Sequence, residues 1–564
     1  MRFGEFDYKR PDMKSLGERF EEKLDRLVNA EGAEEQNRAI EEINLLRREF
    51  ESMSQICYIR HTIDTKDSYY ENEQNFFDEN EPVYEGLISK YYKAILGSSF
   101  KEDLKDRWGA QLFRLAEKSV KVFSEEIVED LIEENRLATR YTKVLASAQI
   151  EFGGRKRTLS EMKPFQMDSD RRVRKAANDA KYAFMCGNGD DFDDIFDKLV
   201  KVRTRMARRL GYDNFVQMGY DRMQRTDYDA EMVASYRESI RRHITPLAVK
   251  IKERQRKRLG IEKLFNYDEQ IFYMGGNAKP IGDHDFLVEK AREMYRDLSK
   301  ETGDFFDFMI ENELMSLRSL PGKSPGGYCT YISKYSSPFI FSNFNGTTDD
   351  VDVLTHEAGH AFQTYMSRKY LLLEYNFPTL EACEIHSMSM EFLTWPWMEN
   401  FFGDDADKYR YGHLSHALMF IPYGAAVDEF QHTVYEKPDA SPSERRRMWR
   451  ETEMKYLPYL DYGDNDYLNS GGFWHQQGHI FKNPFYYIDY TLAQVCAFQF
   501  WLNAEKSRQE AWAAYAGLCG LGGSRSFLEL VEAAGLESPF KEEVFESVAG
   551  HIDDWLGNAV FDFL

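Results

Sequence analysis

What the chain has little of narrows the possibilities first. Its six cysteines, Cys57, Cys186, Cys329, Cys383, Cys496 and Cys519, lie far apart and form no C-x-x-C pair. That predicts reduced, mostly buried thiols in the cytoplasm, with Cys383 a small core residue rather than a ligand or redox switch. No run of about 18 apolar residues is present to span a bilayer; the richest, His416 to Val427, is too short and holds Pro422. The segment Met1 to Asp7 lacks the apolar core of a secretory signal, so none is expected. Lys and Arg number 73 against 96 Asp and Glu, a formal charge of −23. Nucleic acid and anionic membranes demand clustered cations, so neither is an expected partner. Low-complexity linkers and internal repeats are missing too, as are G-x-S-x-G and any recognised catalytic-cysteine context.

Apolar residues, at 42% of 564, suffice for a large globular core, and the length suggests two to four domain-sized units. Amphipathic periodicity predicts long helices at Ser15 to Asn29, Glu34 to Ser54, Asp103 to Lys118, Asp170 to Met185, Phe192 to Leu210 and Met232 to Arg258. Gly153-Gly154 predicts a tight hairpin turn between Gln149–Phe152 and Arg155–Thr158, and Thr158 with Glu161 forms a capping box for the next helix. We place an N-terminal helical region with this hairpin at 1–170 and the remainder at 171–564. The pattern turns β-rich at Tyr328 to Ile332 and Pro338 to Phe344. A sheet edge here either pairs with an extended substrate or only supports the helix that follows. The expected class is therefore mainly α with a small β-sheet.

The stretch Thr355-His356-Glu357-Ala358-Gly359-His360 contains H-E-x-x-H. At 3.6 residues per turn both imidazoles stand on one helical face and reach one ion, while Glu357 lies beside that face as a base for water. Chance places such a pentapeptide in roughly a few per hundred chains of this composition. Leu354, Ala358, Ala361, Phe362 and Tyr365 recur at core spacing, and Thr347, Thr348, Asp349 and Asp350 offer capping oxygens. A catalytic zinc takes a third protein ligand. Gln363 and Met366 exclude the longer form ending in a third histidine, which leaves Glu381, Glu384, His386 and Glu391 of the next helical pattern as candidates. Eight of the 12 histidines fall between His356 and His479.

These features resemble the thimet oligopeptidase/oligoendopeptidase F family of zinc peptidases, in its bacterial oligoendopeptidase F branch. The resemblance rests on His356-Glu357-Ala358-Gly359-His360, on Glu384-Ile385-His386-Ser387, on Leu210-Gly211-Tyr212-Asp213-Asn214-Phe215, and on His479 followed by Pro484-Phe485-Tyr486-Tyr487-Ile488-Asp489-Tyr490. It implies one Zn2+ per chain held by His356, His360 and Glu384, with Glu357 as general base and Glu391 either a carboxylate behind the ligands or one that only packs. It implies a helical ellipsoid with a deep channel that admits oligopeptides, and transition-state donors from the last segment. His479 and Tyr490 rank first there and Tyr486 second; Tyr486 and Tyr490 share a face of a helix. The glycines Gly471, Gly472 and Gly478 around His475 predict a loop that moves for substrate closure. The expected activity is hydrolysis of oligopeptides by an endopeptidase; a metallo-exopeptidase and a zinc-containing, non-catalytic peptide-binding protein are the alternatives. No feature points to an oligomeric state.

Overall fold

Where apolar residues recur at helical spacing behind a capping side chain, the backbone is helical. A computed structural model describes residues 1–320 and 322–558. Asp12 accepts from the Ser15 amide to start Met13–Val28, which buries Leu16, Phe20, Leu24 and Leu27. Helices hold 72% of the residues, and the mainly α expectation stands. None of the described helices is long and apolar enough to cross a membrane.

Strands are few and short. β1 (Ile150–Phe152) and β2 (Arg155–Arg157) pair antiparallel. Gly153 and Gly154 have φ of 61° and 79° at their turn, a conformation that suits glycine. The Thr158 and Glu161 capping box follows as expected. The second sheet has the order β3-β5-β4, from Met315–Arg318, Ser337–Phe344 and Tyr328–Ile332. β5 runs parallel to β3 and antiparallel to β4, and nearly all of it is buried. The strand that leads into the H-E-x-x-H helix is thus the sheet's centre, and β4 is an edge.

The chain divides into two compact units, each gathered from three stretches. Met1–Lys121, Lys279–Ala406 and Cys496–Glu537 form the first; Val122–Ala278, Asp407–Val495 and the stretch from Ser538 form the second. In the first, the helix Asp349–Ser367 packs against β4, β5 and the helices Leu380–Leu393 and Arg508–Leu521. In the second, the helices Val128–Ala146 and Gly189–Arg209 pack together around a fully buried Arg203. Its guanidinium donates to Glu134 Oε1 at 2.6 Å, the Tyr435 hydroxyl at 2.9 Å and the Phe481 carbonyl at 2.6 Å. A buried cation satisfied on all sides is an orientation device more than a source of stability. Here it fixes the short helix Gly478–Lys482.

Candidate metal centre

The H-E-x-x-H helix starts where Asp350 turns back to accept from the amides of Asn345 and Gly346, both at 2.8 Å. Asp350 is one of the four expected capping residues, whereas Thr348, at the N-cap position, makes no side-chain capping bond. One turn apart, His356 and His360 set their rings nearly perpendicular, at 82° with centroids 5.0 Å apart. Glu384 Oε2 lies 3.3 Å from His356 Nε2 and 3.4 Å from His360 Nε2. All three donor atoms fall within 4.8 Å of one another, and the two histidine and one carboxylate donors form a group able to hold a metal ion.

The residues fit zinc. Ligands at about 2.1 Å with tetrahedral angles stand about 3.4 Å apart, which is the spacing of Glu384 Oε2 from both imidazoles. The charge is right as well. Burial works against a charge on His356, yet Glu384 and Glu391 outweigh it and push its pKa up to about 10. Burial likewise opposes ionisation of Glu384, and the imidazoles hold it well below the usual carboxylate range. A donor set that demands positive charge this strongly favours a cation.

Behind the donors, each is aimed by a neighbour. His356 Nδ1 donates to Glu391 Oε1 at 2.7 Å, which leaves Nε2 as the donor atom for metal. His360 Nδ1 lies 3.4 Å from the Cys383 sulfur, a softer partner for the same task. The Ser387 hydroxyl donates to Glu384 Oε2 at 2.9 Å. Cys383 is buried, as expected, but it touches the metal helix rather than only filling space. Glu384 and Glu391 are two turns apart on one face of Leu380–Leu393, whereas His386 points about 200° away from Glu384. His386 is fully buried, its carbonyl accepts from the Tyr515 hydroxyl at 2.8 Å, and burial takes its pKa down to about 4. Glu381 accepts from the Thr379 hydroxyl at 3.1 Å.

Close helix packing makes this possible. A Cβ on Gly359 would stand 2.6 Å from the His386 carbonyl oxygen and 2.7 Å from Ser387 Cα. The second helix therefore rests on the backbone of the first, and Glu384 is brought over the two histidines. Glu357 is 8% exposed and its Oε2 has no hydrogen-bond partner. Burial raises its pKa, with His356 and His360 opposing, a setting that suits a proton acceptor. A Cβ on Gly327, just before β4, would come within 3.5 Å of Glu357 Oε1, so the sheet edge opens beside this carboxylate.

The second unit gathers His479, Tyr486 and Tyr490. His479 lies 5.7 Å from Tyr486 and 5.8 Å from Tyr490 between ring centroids, and the two tyrosines are 4.7 Å apart. The helix Tyr487–Lys506 carries Tyr490, and Tyr486 immediately precedes it. Between the histidine and the helix, Phe485 adopts φ 68° and fits its ring against Gly219, where a Cβ would meet it at 2.5 Å. Arg225 locks the turn, donating to the Phe485 carbonyl at 2.5 Å and to Asp489 at 2.6 Å. Both partners of that ion pair are fully buried.

Gln477 escaped the sequence reading. It accepts from the Tyr423 hydroxyl at 2.8 Å, so its amide nitrogen faces His479 Nδ1 at 2.8 Å and donates to it. The imidazole proton then sits on Nε2. Only the odd run Gln476-Gln477 before His479 could have hinted at this. His475 is fully buried, bonded to Asp193 at 3.0 Å and to the Tyr467 hydroxyl at 2.8 Å. A Cβ on Gly471 would stand 2.0 Å from the Arg446 carbonyl oxygen, so glycine permits a close approach here.

Comparison with known proteins follows the same lines. The Peptidase M3 N-terminal domain matches residues 3–123, and Peptidase family M3 matches residues 303–550. An oligoendopeptidase F homolog of Lactococcus lactis subsp. lactis (strain IL1403) is 27% identical over 284 residues, 49% of this chain and 43% of that protein. The aligned part is thus less than half of that relative's length. A solved chain provisionally designated oligoendopeptidase F is 56% identical with a TM-score of 0.95, covering 100% of this chain and 99% of that one. PZ peptidase A, solved with an inhibitor, is 55% identical with a TM-score of 0.95 and full coverage of both chains.

Proposed function

Because the chain belongs to peptidase family M3, among its oligoendopeptidase F members, we propose that it is a zinc-dependent endopeptidase hydrolysing peptide bonds in short oligopeptides. One observation carries the reading: a His-His-Glu triangle of zinc dimensions, with the unpartnered buried oxygen of Glu357 on the same helix. Six free cysteines suit a reducing compartment, and we assign the protein to the cytoplasm.

In this reading His356, His360 and Glu384 hold one Zn2+. When bound, zinc supplies Lewis acidity, acidifying water and polarising a carbonyl. Glu391, Cys383 and Ser387 keep the donor atoms aimed. Glu357 takes the proton of the attacking water and returns it to the leaving amine. The Tyr490 and Tyr486 hydroxyls and His479 Nε2–H donate to the carbonyl oxygen as it gains charge. Gln477 keeps the His479 proton on the donating nitrogen.

The test is Glu357→Ala in purified protein, with zinc measured by mass spectrometry and cleavage followed on a mixed-length peptide library. Zinc at one per chain with hydrolysis abolished is expected. Unchanged turnover refutes the general-base role, and wild-type protein that binds zinc but cleaves nothing leaves a peptide-binding protein. Cleavage only of peptides with a free terminus makes it an exopeptidase; internal cleavage of terminally blocked peptides is the expected result.

A further inference from the structure

The second unit holds a half-open cavity of about 660 Å3 whose whole lining belongs to that unit. Its size falls in the range of ligand pockets, and its wall mixes apolar and aromatic side chains such as Phe420, Tyr423 and Phe473 with about as many polar ones. Two buried or half-buried lysines of the wall differ in their surroundings. Lys252 is matched by Glu269 at 2.6 Å and by Gln255 Oε1 at 3.0 Å. Lys181 is not matched by any anion. Its ammonium donates to the neutral Gln476 Oε1 at 2.8 Å and lies 5.1 Å from the Tyr182 ring centroid, and it forms no ion pair among the described residues. Burial takes its pKa down to about 8, so at neutral pH it remains a cation in a poorly solvated place. In a chain with 23 excess negative charges, a lysine left without one is a specific arrangement.

The cavity also adjoins the histidine and tyrosine cluster. Gln476 of the wall precedes Gln477, which bonds His479. Tyr423 lines the cavity and donates to that same Gln477. Phe420, another wall residue, stands 5.3 Å from Tyr487 and 6.2 Å from Tyr490 between centroids. The wall of the cavity and the His479 and Tyr490 cluster are thus joined through Gln477, Tyr423 and Phe420.

We propose that the cavity is a substrate subsite that seats a carboxylate-bearing part of the oligopeptide, with Lys181 as its cationic anchor and Phe420, Tyr423 and Phe473 as its apolar walls. The inference rests on the peptidase reading and deepens it. A carboxylate brings the lysine the counter-ion it lacks, and a hydrogen bond to a charged group separates the acid from its neutral isostere by about tenfold or more. That carboxylate belongs either to the peptide's C-terminus or to an Asp or Glu side chain.

Two matched substrate pairs with a common cleavage point test this: free acid against C-terminal amide, and an acidic side chain against its amide. Each is measured with the wild type, Lys181→Met and Lys181→Arg, all zinc-loaded and checked by circular dichroism for a native helical spectrum. The wild type should favour the acid of at least one pair through KM, by about tenfold or more. Lys181→Met should bring that ratio near one with kcat little altered, and Lys181→Arg should keep most of it. The first pair responding assigns the C-terminus, the second a side chain. Equal ratios in wild type and Lys181→Met for both pairs overturn the proposal. The same four peptides are titrated calorimetrically against wild type and Lys181→Met loaded with zinc and with Glu357→Ala added to stop turnover. Should the protein hydrolyse nothing, these binding ratios alone decide the subsite, while the absence of cleavage counts against the peptidase reading.

Discussion

Removing the carboxylate behind His356 gives the sharpest account of how the metal donors are held. Glu391 Oε1 accepts from His356 Nδ1 at 2.7 Å, and the side chain is 14% exposed, so the bond is charge-assisted and little screened by water. Such a partner fixes the tautomer and makes the ligating nitrogen more basic; its loss costs about 10–100-fold in metal affinity, or about 1.4–2.8 kcal/mol. Glu391→Ala removes orientation and charge together and should reach that range. Glu391→Gln keeps an acceptor but no charge, and should cost less, about threefold to tenfold. On the other histidine, the Cys383 sulfur at 3.4 Å is a long, weak acceptor. Cys383→Ala should therefore cost only about twofold to threefold. The measurement is competition for Zn2+ against a chromophoric chelator at fixed pH. If Glu391→Ala binds zinc within twofold of the wild type, the tautomer argument fails. If Cys383→Ala costs more than Glu391→Ala, charge is not what orders the two partners.

Other substitutions probe the packing and the second cluster. Gly359→Ala should lower stability by about 1–3 kcal/mol by forcing the two helices apart, and should weaken zinc binding as Glu384 retreats; calorimetric melting with and without chelator reads both. Tyr490→Phe should lower kcat by about 10²–10³-fold with KM nearly constant if its hydroxyl meets the developing oxyanion, and a pure KM effect would contradict that role. Gln477→Ala should let the His479 proton divide between both ring nitrogens, which imidazole 15N shifts detect directly, with kcat down roughly tenfold. Lys181 predicts a pH effect on stability. Burial takes its folded pKa down to about 8, below the 10.5 of a solvated lysine, so between these pH values the unfolded chain binds more protons and stability rises with pH, by about 3 kcal/mol at most. Lys181→Met should melt higher than wild type below pH 8 and lose this rise; an unchanged profile would place the lysine in water.

Several features were readable without coordinates because they are local. H-E-x-x-H needs only the helical repeat to set two imidazoles on one face, and Gly153-Gly154 needs only the turn that two positive-φ residues make. Glu381, Glu384 and Glu391 could not be ranked by spacing, since helical geometry puts all three near one face. The contact at Gly359 decides it, because the crossing point of two helices depends on which backbone lies under which residue. The packing of the loop around His475 was not legible for a related reason. Glycine permits both motion and close approach, and only the tertiary structure shows the Arg446 carbonyl pressed against Gly471.

The order of residues by itself determined the helical class, the two imidazoles and the carboxylate beside them, because each depends on neighbours within a turn or two. Tertiary structure alone decided which carboxylate completes the donor set, that Gln477 orients His479, and that Lys181 faces a cavity without a counter-ion. Glu384 reaches its histidines, Tyr423 aims Gln477 and Gln476 meets Lys181 across tens to hundreds of residues, and no periodicity along the chain encodes a distance across it.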